Sequence, residues 1–258
     1  MSETQIPVAE QFYSIQGEGP HAGQPAIFLR LAGCNLSCGW NDNLDEYEPG
    51  DEPQGDANWV CDTIDVWKDP EHTYTPEELL AEWRENGWDI NLEAGAHIVL
   101  TGGEPTLPSH QDSISEFFQL LKEEGLEPTI EVETNGTQEL IAPFGYHVDH
   151  YNVSLKLSNS GMSEERRLDP EAILQFTSLE ETTAVFKFVV GSEEDLYEVE
   201  SIVSEYLIPR EQVSLMPAGQ RKEQLGETYP LVAEFCKKKG YNFSPRLHVS
   251  IWDEQTGV

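Results

Sequence analysis

Three of the chain's four cysteines, Cys34, Cys38 and Cys61, fall in one stretch, and any fold the chain adopts must suit them as a group. The first two lie in Gly33-Cys34-Asn35-Leu36-Ser37-Cys38-Gly39-Trp40, the third in Trp59-Val60-Cys61-Asp62-Thr63. Clustered thiolates are soft ligands that select an iron–sulfur centre or zinc. A zinc site would need a fourth ligand, which His72 could supply. A [4Fe–4S] cube held by three cysteines would instead keep one iron without a protein ligand, open to a small molecule that chelates through an amino group and a carboxylate. Cys236 stands apart on the apolar face of a helical segment and reads as core.

A length of 258 residues suits one domain, 1–258, with a full core. No window approaches the apolar length of a membrane span, and no basic, apolar leader opens the chain, so we expect a cytoplasmic protein with no membrane contact. Clustered cysteines fit a reducing compartment better than a disulfide framework. The charge is extreme: 48 acids against 15 Lys plus Arg, a net of −33. Such a chain repels phosphate backbones, which argues against direct nucleic-acid binding. On a foldable chain it also suggests adaptation to high salt.

Strand-like and helix-like segments alternate. Tyr13 to Gln24 reads as a loop, Pro25–Leu31 as a strand, and 41–58, with seven acids and no Lys or Arg, as a solvated insertion whose tip contacts little. Thr75 caps a helix begun by Pro76, and Ser113 with Glu116 suggests a capping box that starts another. Further strands are expected at 97–101, 129–133, 148–155, 184–190 and 213–216, with helices at 170–177, after Ser192, and at 229–239. Arg246 to Trp252 alternates and reads as a last strand, with Arg246, His248 and Ser250 on its polar face. The alternation implies parallel βαβ units, about six of them.

Several motifs follow the ends of these strands: Gln16-Gly17-Glu18-Gly19, Phe28-Leu29-Arg30-Leu31-Ala32-Gly33-Cys34, Cys61-Asp62-Thr63, Thr101-Gly102-Gly103-Glu104-Pro105, Glu133-Thr134-Asn135-Gly136, Ser154-Leu155-Lys156 and Met216-Pro217-Ala218-Gly219. Together they resemble the radical S-adenosylmethionine superfamily and, within it, the 7-carboxy-7-deazaguanine synthases, over nearly the whole chain. The usual cluster pattern there is C-x3-C-x2-C. Here the first interval fits, but 22 residues separate Cys38 from Cys61. Asn41 stands where the third cysteine is usual, and Cys-Asp-Thr reappears at Cys61-Asp62-Thr63. The insertion at about 41–58 thus displaces the third ligand. Leu155 replaces a usual proline.

The resemblance implies an α/β fold, a partial, open (β/α)6-type TIM-like barrel with its chemistry at the C-terminal mouth. It implies a [4Fe–4S] cluster on Cys34, Cys38 and Cys61, and Mg2+ at Thr63. It implies S-adenosyl-L-methionine held by Val60, Asp62, Gly102, Gly103, Glu104, Glu133, Ser154, Lys156, Met216 and Pro217. The implied substrate, 6-carboxy-5,6,7,8-tetrahydropterin, would meet Ile15, Gln16, Gly17, Glu18, Arg30, Thr101 and the Val258 carboxylate. The implied reaction is a lyase conversion to 7-carboxy-7-deazaguanine with loss of ammonia, feeding archaeosine or queuosine in tRNA. No side chain need act beyond the cofactor radical, although Glu18 or His248 could assist. Also implied are an electron donor such as flavodoxin or ferredoxin and a homodimer; the acidity adds a haloarchaeal source. Other readings stay open at this point: a radical activase working on a partner protein, a non-catalytic zinc module, and for Arg30 a structural ion pair inside an apolar strand.

With a net of −33, withdrawing counter-ions should weaken the fold. Thermal melts from low to molar KCl should show a rising melting temperature; one independent of KCl would remove the high-salt reading.

Overall fold

The computed structural model describes residues 4–40, 43–180, 182–253 and 255. Its strands are β1 (Ile6–Ile15), β2 (Pro25–Leu31), β3 (His72–Tyr74), β4 (His97–Gly102), β5 (Ile130–Thr134), β6 (His150–Val153), β7 (Thr183–Val190), β8 (Val213–Pro217) and β9 (Asn242–Phe243). They form one sheet in the order β3-β1-β2-β4-β5-β6-β7-β8-β9. β2 and β4 through β9 run parallel, while β1 is antiparallel to both β2 and β3. The order has two ends, so the sheet is open. Six longer parallel strands, β2 and β4 to β8, make up the expected α/β partial barrel.

Strand alternation divides the sheet into two unlike faces. Ile98, Leu100, Val132, Val153, Phe186 and Phe188 point to the helices and share one core with Ile114, Phe117, Ile173, Phe176 and Val199. The residues between them on the same strands, Thr101, Glu131, Glu133, Asn152 and Lys187, line the opposite, concave face. All but Glu133 are buried, and all are polar. Buried polar groups are costly unless they are partnered. A polar lumen at this depth therefore marks the site.

The helices begin where their caps dictate. Thr75 and Glu78 form a capping box for Pro76–Glu85, Asp169 caps Pro170–Thr177, and Ser192 with Asp195 boxes Glu193–Glu205. Ser113 does not start a helix. Pro108–Glu123 begins after Leu107, and the Ser113 hydroxyl donates to the His110 carbonyl inside it, so the Ser-x-x-Glu pattern is a coincidence of helical spacing. The helix at 229–239 in fact spans Lys222–Lys239, running through Gly226 and Pro230, both of which read as breakers.

Two larger corrections concern the ends. The loop reading from Tyr13 holds only from Gln16, because Tyr13–Ile15 close β1. The last segment is a helix, Leu247–Trp252, not a strand. Its apparent alternation did not mark a face: Val249 is buried, but Ile251 is exposed.

The acidic insertion is also more anchored than its composition suggests. Asn41 and Asp42 lie outside the described residues. Beyond them a single 3-10 turn, Leu44–Glu46, delivers Tyr47 into a small core with Ala9, Ala32, Ile64 and Trp67, its ring 5.4 Å from Trp40. Residues 48–50 and 54–56 are exposed, as expected for a tip.

Trp83 anchors the first helix layer. It is fully buried, lies 5.0 Å from the Phe117 ring, and donates from Nε1 to Gln11 Oε1 at 2.7 Å. Trp83→Ala should cost about 3–5 kcal/mol in denaturant unfolding. Trp83→Phe should cost only about 1–2 kcal/mol, chiefly the hydrogen bond. Equal losses would mean that the ring contributes little.

Candidate active site

The cysteine loop leaves the C-terminal end of β2 and is fastened there by backbone. Gly33 N donates to Trp67 O at 2.7 Å, Glu104 N to Gly33 O at 2.8 Å, and Gly103 N to Leu31 O at 3.0 Å. The insertion returns to its starting point: Cys61 N donates to Cys38 O at 3.0 Å. Gly39 makes this closure possible. Its φ is +82°, and a Cβ there would lie 2.1 Å from Trp59 O and 2.4 Å from the Val60 Cα. Asn58 N to Asn159 O at 2.8 Å and Gly39 N to Ser160 O at 2.8 Å tie both arms of the neck to the loop after β6.

Cys34, Cys38 and Cys61 thereby share one neighbourhood. Burial pushes the Cys34 thiol up to about 12, helped by Glu104 and the other two cysteines. Burial likewise raises Cys38 to about 11, with Cys61 adding to it and Lys156 opposing. Such thiols ionise only against a strong local positive charge, which a metal centre would supply. Three thiolate donors gathered at one loop are the ligand chemistry that an iron–sulfur centre takes, and the residues fit one. His72 lies on edge strand β3, exposed, with its ring against Tyr74. Cys236 is buried core and its Sγ donates to Asn242 O, as its sequence setting suggests.

The other motifs ring this loop. Glu104 is fully buried, and its carboxylate accepts from Thr106 N and Oγ1, Thr134 Oγ1 and Asn135 N at 2.5–2.9 Å. Burial raises its pKa while these donors oppose. The side chain brackets the Gly-Gly-Glu loop to the end of β5, so any ligand meets this loop's backbone instead. Asn135 Nδ2 lies 3.9 Å from Cys34 Sγ. Thr101 donates to Glu133 Oε2 at 2.9 Å in the lumen. Lys156 Nζ donates to Ser154 Oγ at 3.0 Å. Met216 and Pro217, both buried, end β8. Val60 packs into the Tyr47 core, and Thr63 Oγ1 lies 3.4 Å from Cys61 Sγ.

The lumen below holds a buried charge cluster. Glu18, from the loop after β1, meets Lys187 Nζ at 2.5 Å, Arg246 Nε at 3.3 Å and His248 Nε2 at 3.8 Å. Burial pushes the Glu18 carboxyl up, but Lys187, Arg246 and His248 outweigh it and hold it well below the usual carboxylate range. Burial also pulls His248 down, against Glu18, which favours the neutral imidazole. Arg246 reaches Asp62 Oδ2 at 3.7 Å and so links the lumen to the third cysteine's loop. Gln16 is 1% exposed. Its Oε1 accepts from Glu18 N, but Nε2 has no hydrogen-bond partner among the described residues. Gly17 O accepts from Leu247 N at 2.8 Å, which docks the last helix on this loop. Arg246 and His248 thus face the lumen, from a helix end rather than from the polar face of a strand.

Ile15 ends β1 just before this loop. Arg30 is engaged by Glu10, Nε to Oε1 at 2.7 Å, in the strand pair β1–β2. Val258 lies outside the described residues. Lys187 was missed from sequence, although a lysine inside Thr183–Val190, between Phe186 and Phe188, carries the same signal that singled out Arg30.

Replacing Gly39 with alanine should prise the Cys38 and Cys61 arms apart without touching the main core. Gly39→Ala should lose most bound iron while its circular dichroism is retained; full iron content would show that the neck can relax.

No protein-family model matches the chain. The 7-carboxy-7-deazaguanine synthase of Halobacterium salinarum is 32% identical over 271 residues, covering 96% of this chain and 91% of that protein. The enzyme of the same name from Pyrobaculum aerophilum is 33% identical over 259 residues, covering all of both chains. A crystal structure of QueE from Escherichia coli matches with a TM-score of 0.58 and 26% identity, covering 93% of each chain. At this identity and over nearly the whole of both chains, the chain belongs to the 7-carboxy-7-deazaguanine synthase family.

Proposed function

We propose that the protein is a radical S-adenosylmethionine lyase that converts 6-carboxy-5,6,7,8-tetrahydropterin to 7-carboxy-7-deazaguanine with loss of ammonia. Full-length similarity to synthases of that name supports the reading. The observation that carries it in this chain is the buried Gln16 amide, whose Nε2 has no hydrogen-bond partner among the described residues, beside a carboxylate, two cations and an imidazole. A reduced pterin offers an amide edge and a carboxylate, which such a set can bind from both ends.

A [4Fe–4S] cluster with S-adenosylmethionine, held by Cys34, Cys38 and Cys61, supplies the hydrogen-abstracting radical when bound. The chain's part is to bind, orient and exclude water. Gln16 Nε2 donates to the pterin edge. Glu18 accepts from the ring N–H groups. Lys187 and Arg246 sit next to Glu18 and hold its charge. Neutral His248, 3.8 Å from Glu18, can take up or return a proton near the leaving amine. Arg30 has further N–H donors beyond the one that Glu10 occupies, and these suit the substrate carboxylate. The backbone of Gly102 and Gly103 with Glu133, Ser154, Lys156, Met216 and Pro217 holds the cofactor. Thr63 offers its hydroxyl to Mg2+, an ion that completes its shell with water and substrate oxygens. The finer reading adds a flavodoxin or ferredoxin donor, a homodimer, a salt-rich cytoplasm, and a product destined for a modified tRNA base.

Anaerobic incubation with reductant, S-adenosylmethionine, Mg2+ and the carboxytetrahydropterin should give 7-carboxy-7-deazaguanine by mass spectrometry. Cys61→Ala should abolish product and the cluster's absorbance, while Asn41→Ala should keep both. Gln16→Leu should raise KM about tenfold or more, the worth of one buried hydrogen bond, and leave S-adenosylmethionine binding intact. No product from a fully iron-loaded wild type would refute the reading.

A further inference from the structure

At the end of the lumen opposite the cysteine loop, two imidazoles converge on one buried carboxylate oxygen. His97 opens β4 and Glu131 is the second residue of β5, so both lie at N-terminal strand ends. His21 arrives from the loop after β1. Glu131 is 0% exposed, and its Oε1 lies 2.7 Å from His97 Nδ1 and 3.1 Å from His21 Nδ1. All three donor atoms fall within 4.8 Å of one another. The His21 nitrogen is buried and makes no hydrogen bond among the described residues. A third imidazole, His150, stands 5.0 Å from the His21 ring, but Thr183 and Asn152 occupy its two nitrogens.

We propose that His21, His97 and Glu131 bind one divalent transition-metal ion of the zinc class, at a site separate from the cysteines. Two imidazole nitrogens with one carboxylate oxygen are a preferred donor set for such ions, and a fourth position remains for water. Ligands 2.0–2.1 Å from a tetrahedral ion lie about 3.3 Å apart. The 2.7 and 3.1 Å separations therefore need to open by about 0.6 and about 0.2 Å. Asn152 Nδ2, 3.5 Å from Glu131 Oε2, supports the carboxylate from behind.

The ion would pin the loop that carries Gln16 and Glu18. That loop is already pressed onto the sheet at Gly19, where φ is +69° and a Cβ would lie 2.7 Å from Asn152 Oδ1. His21 follows two residues later and lands on Glu131. The ion is structural rather than catalytic, in keeping with its place at the N-terminal face of the strands.

The test uses the full chain, purified anaerobically, equilibrated with ZnCl2 and desalted. Elemental analysis should find one zinc per chain in addition to iron, retained with a Kd of about 1 μM or tighter. The same zinc should persist when Cys34, Cys38 and Cys61 are all alanine. His21→Ala, a loop change that spares the core, and Glu131→Gln should each lose it with iron unchanged. Co2+ in place of zinc should give tetrahedral visible bands in wild type and not in His21→Ala. Zinc should also raise the wild-type melting temperature by about 5 °C and leave that of His21→Ala unmoved. Less than a tenth of an equivalent of zinc in wild type would overturn the site. So would zinc that disappears with the cysteines, or that survives both His21→Ala and Glu131→Gln.

Discussion

Glu18 is a charge largely shut off from water, and two distant segments converge to neutralise it. Lys187 reaches it from the middle of β7, while Arg246 and His248 reach it from the start of the last helix. An unpaired carboxylate at that depth would cost several kcal/mol. The cluster therefore fixes where the loop after β1 crosses the lumen and where the C-terminal helix docks. Through Arg246 and Asp62 it also reaches the loop of the third cysteine. One electrostatic requirement thus couples both candidate binding regions, the polar lumen and the thiol loop.

The two sheet faces divide the labour. The face under the helices is apolar and supplies the core. The concave face carries charge and amide groups that make sense only with partners. Where those partners are protein atoms, as around Glu104, the result is a rigid bracket. Where a donor is left over, as at Gln16 Nε2, the result is a place for a ligand.

Much of this was legible in the sequence because the signals are local. Caps at Thr75 and Ser192 and the apolar period of Pro170–Thr177 act within a turn or two of chain. The Cys-Asp-Thr run pointed to Cys61 despite its displacement, and the backbone does bring Cys61 back to Cys38. What stayed hidden depends on contacts far apart in sequence. Lys187 and Glu18 are 169 residues apart, and neither announces the other. β1 was missed in part because Glu10 and Gln11 break its apolar pattern; it is held by pairing on both edges, with β2 and β3. The last helix misled for the opposite reason: Leu247, Val249 and Ile251 alternate over too short a run for a period to mean anything.

The neck at Gly39 and Cys61 changes what the spacing of a ligand motif measures. Loop-closure entropy grows only logarithmically, about 0.6 kcal/mol per doubling of length. Once the two arms are pinned by backbone contacts, residues beyond the pin are nearly free to drift in number and composition. Selection then acts on two cross-sections of the chain, the pair of peptide planes at the pin, and scarcely at all on the distance travelled between them. The exposed acidic tip can be tuned to the surrounding solvent while the thiols stay put, so the same excursion that disguises the motif lets surface chemistry change independently of the cysteine loop.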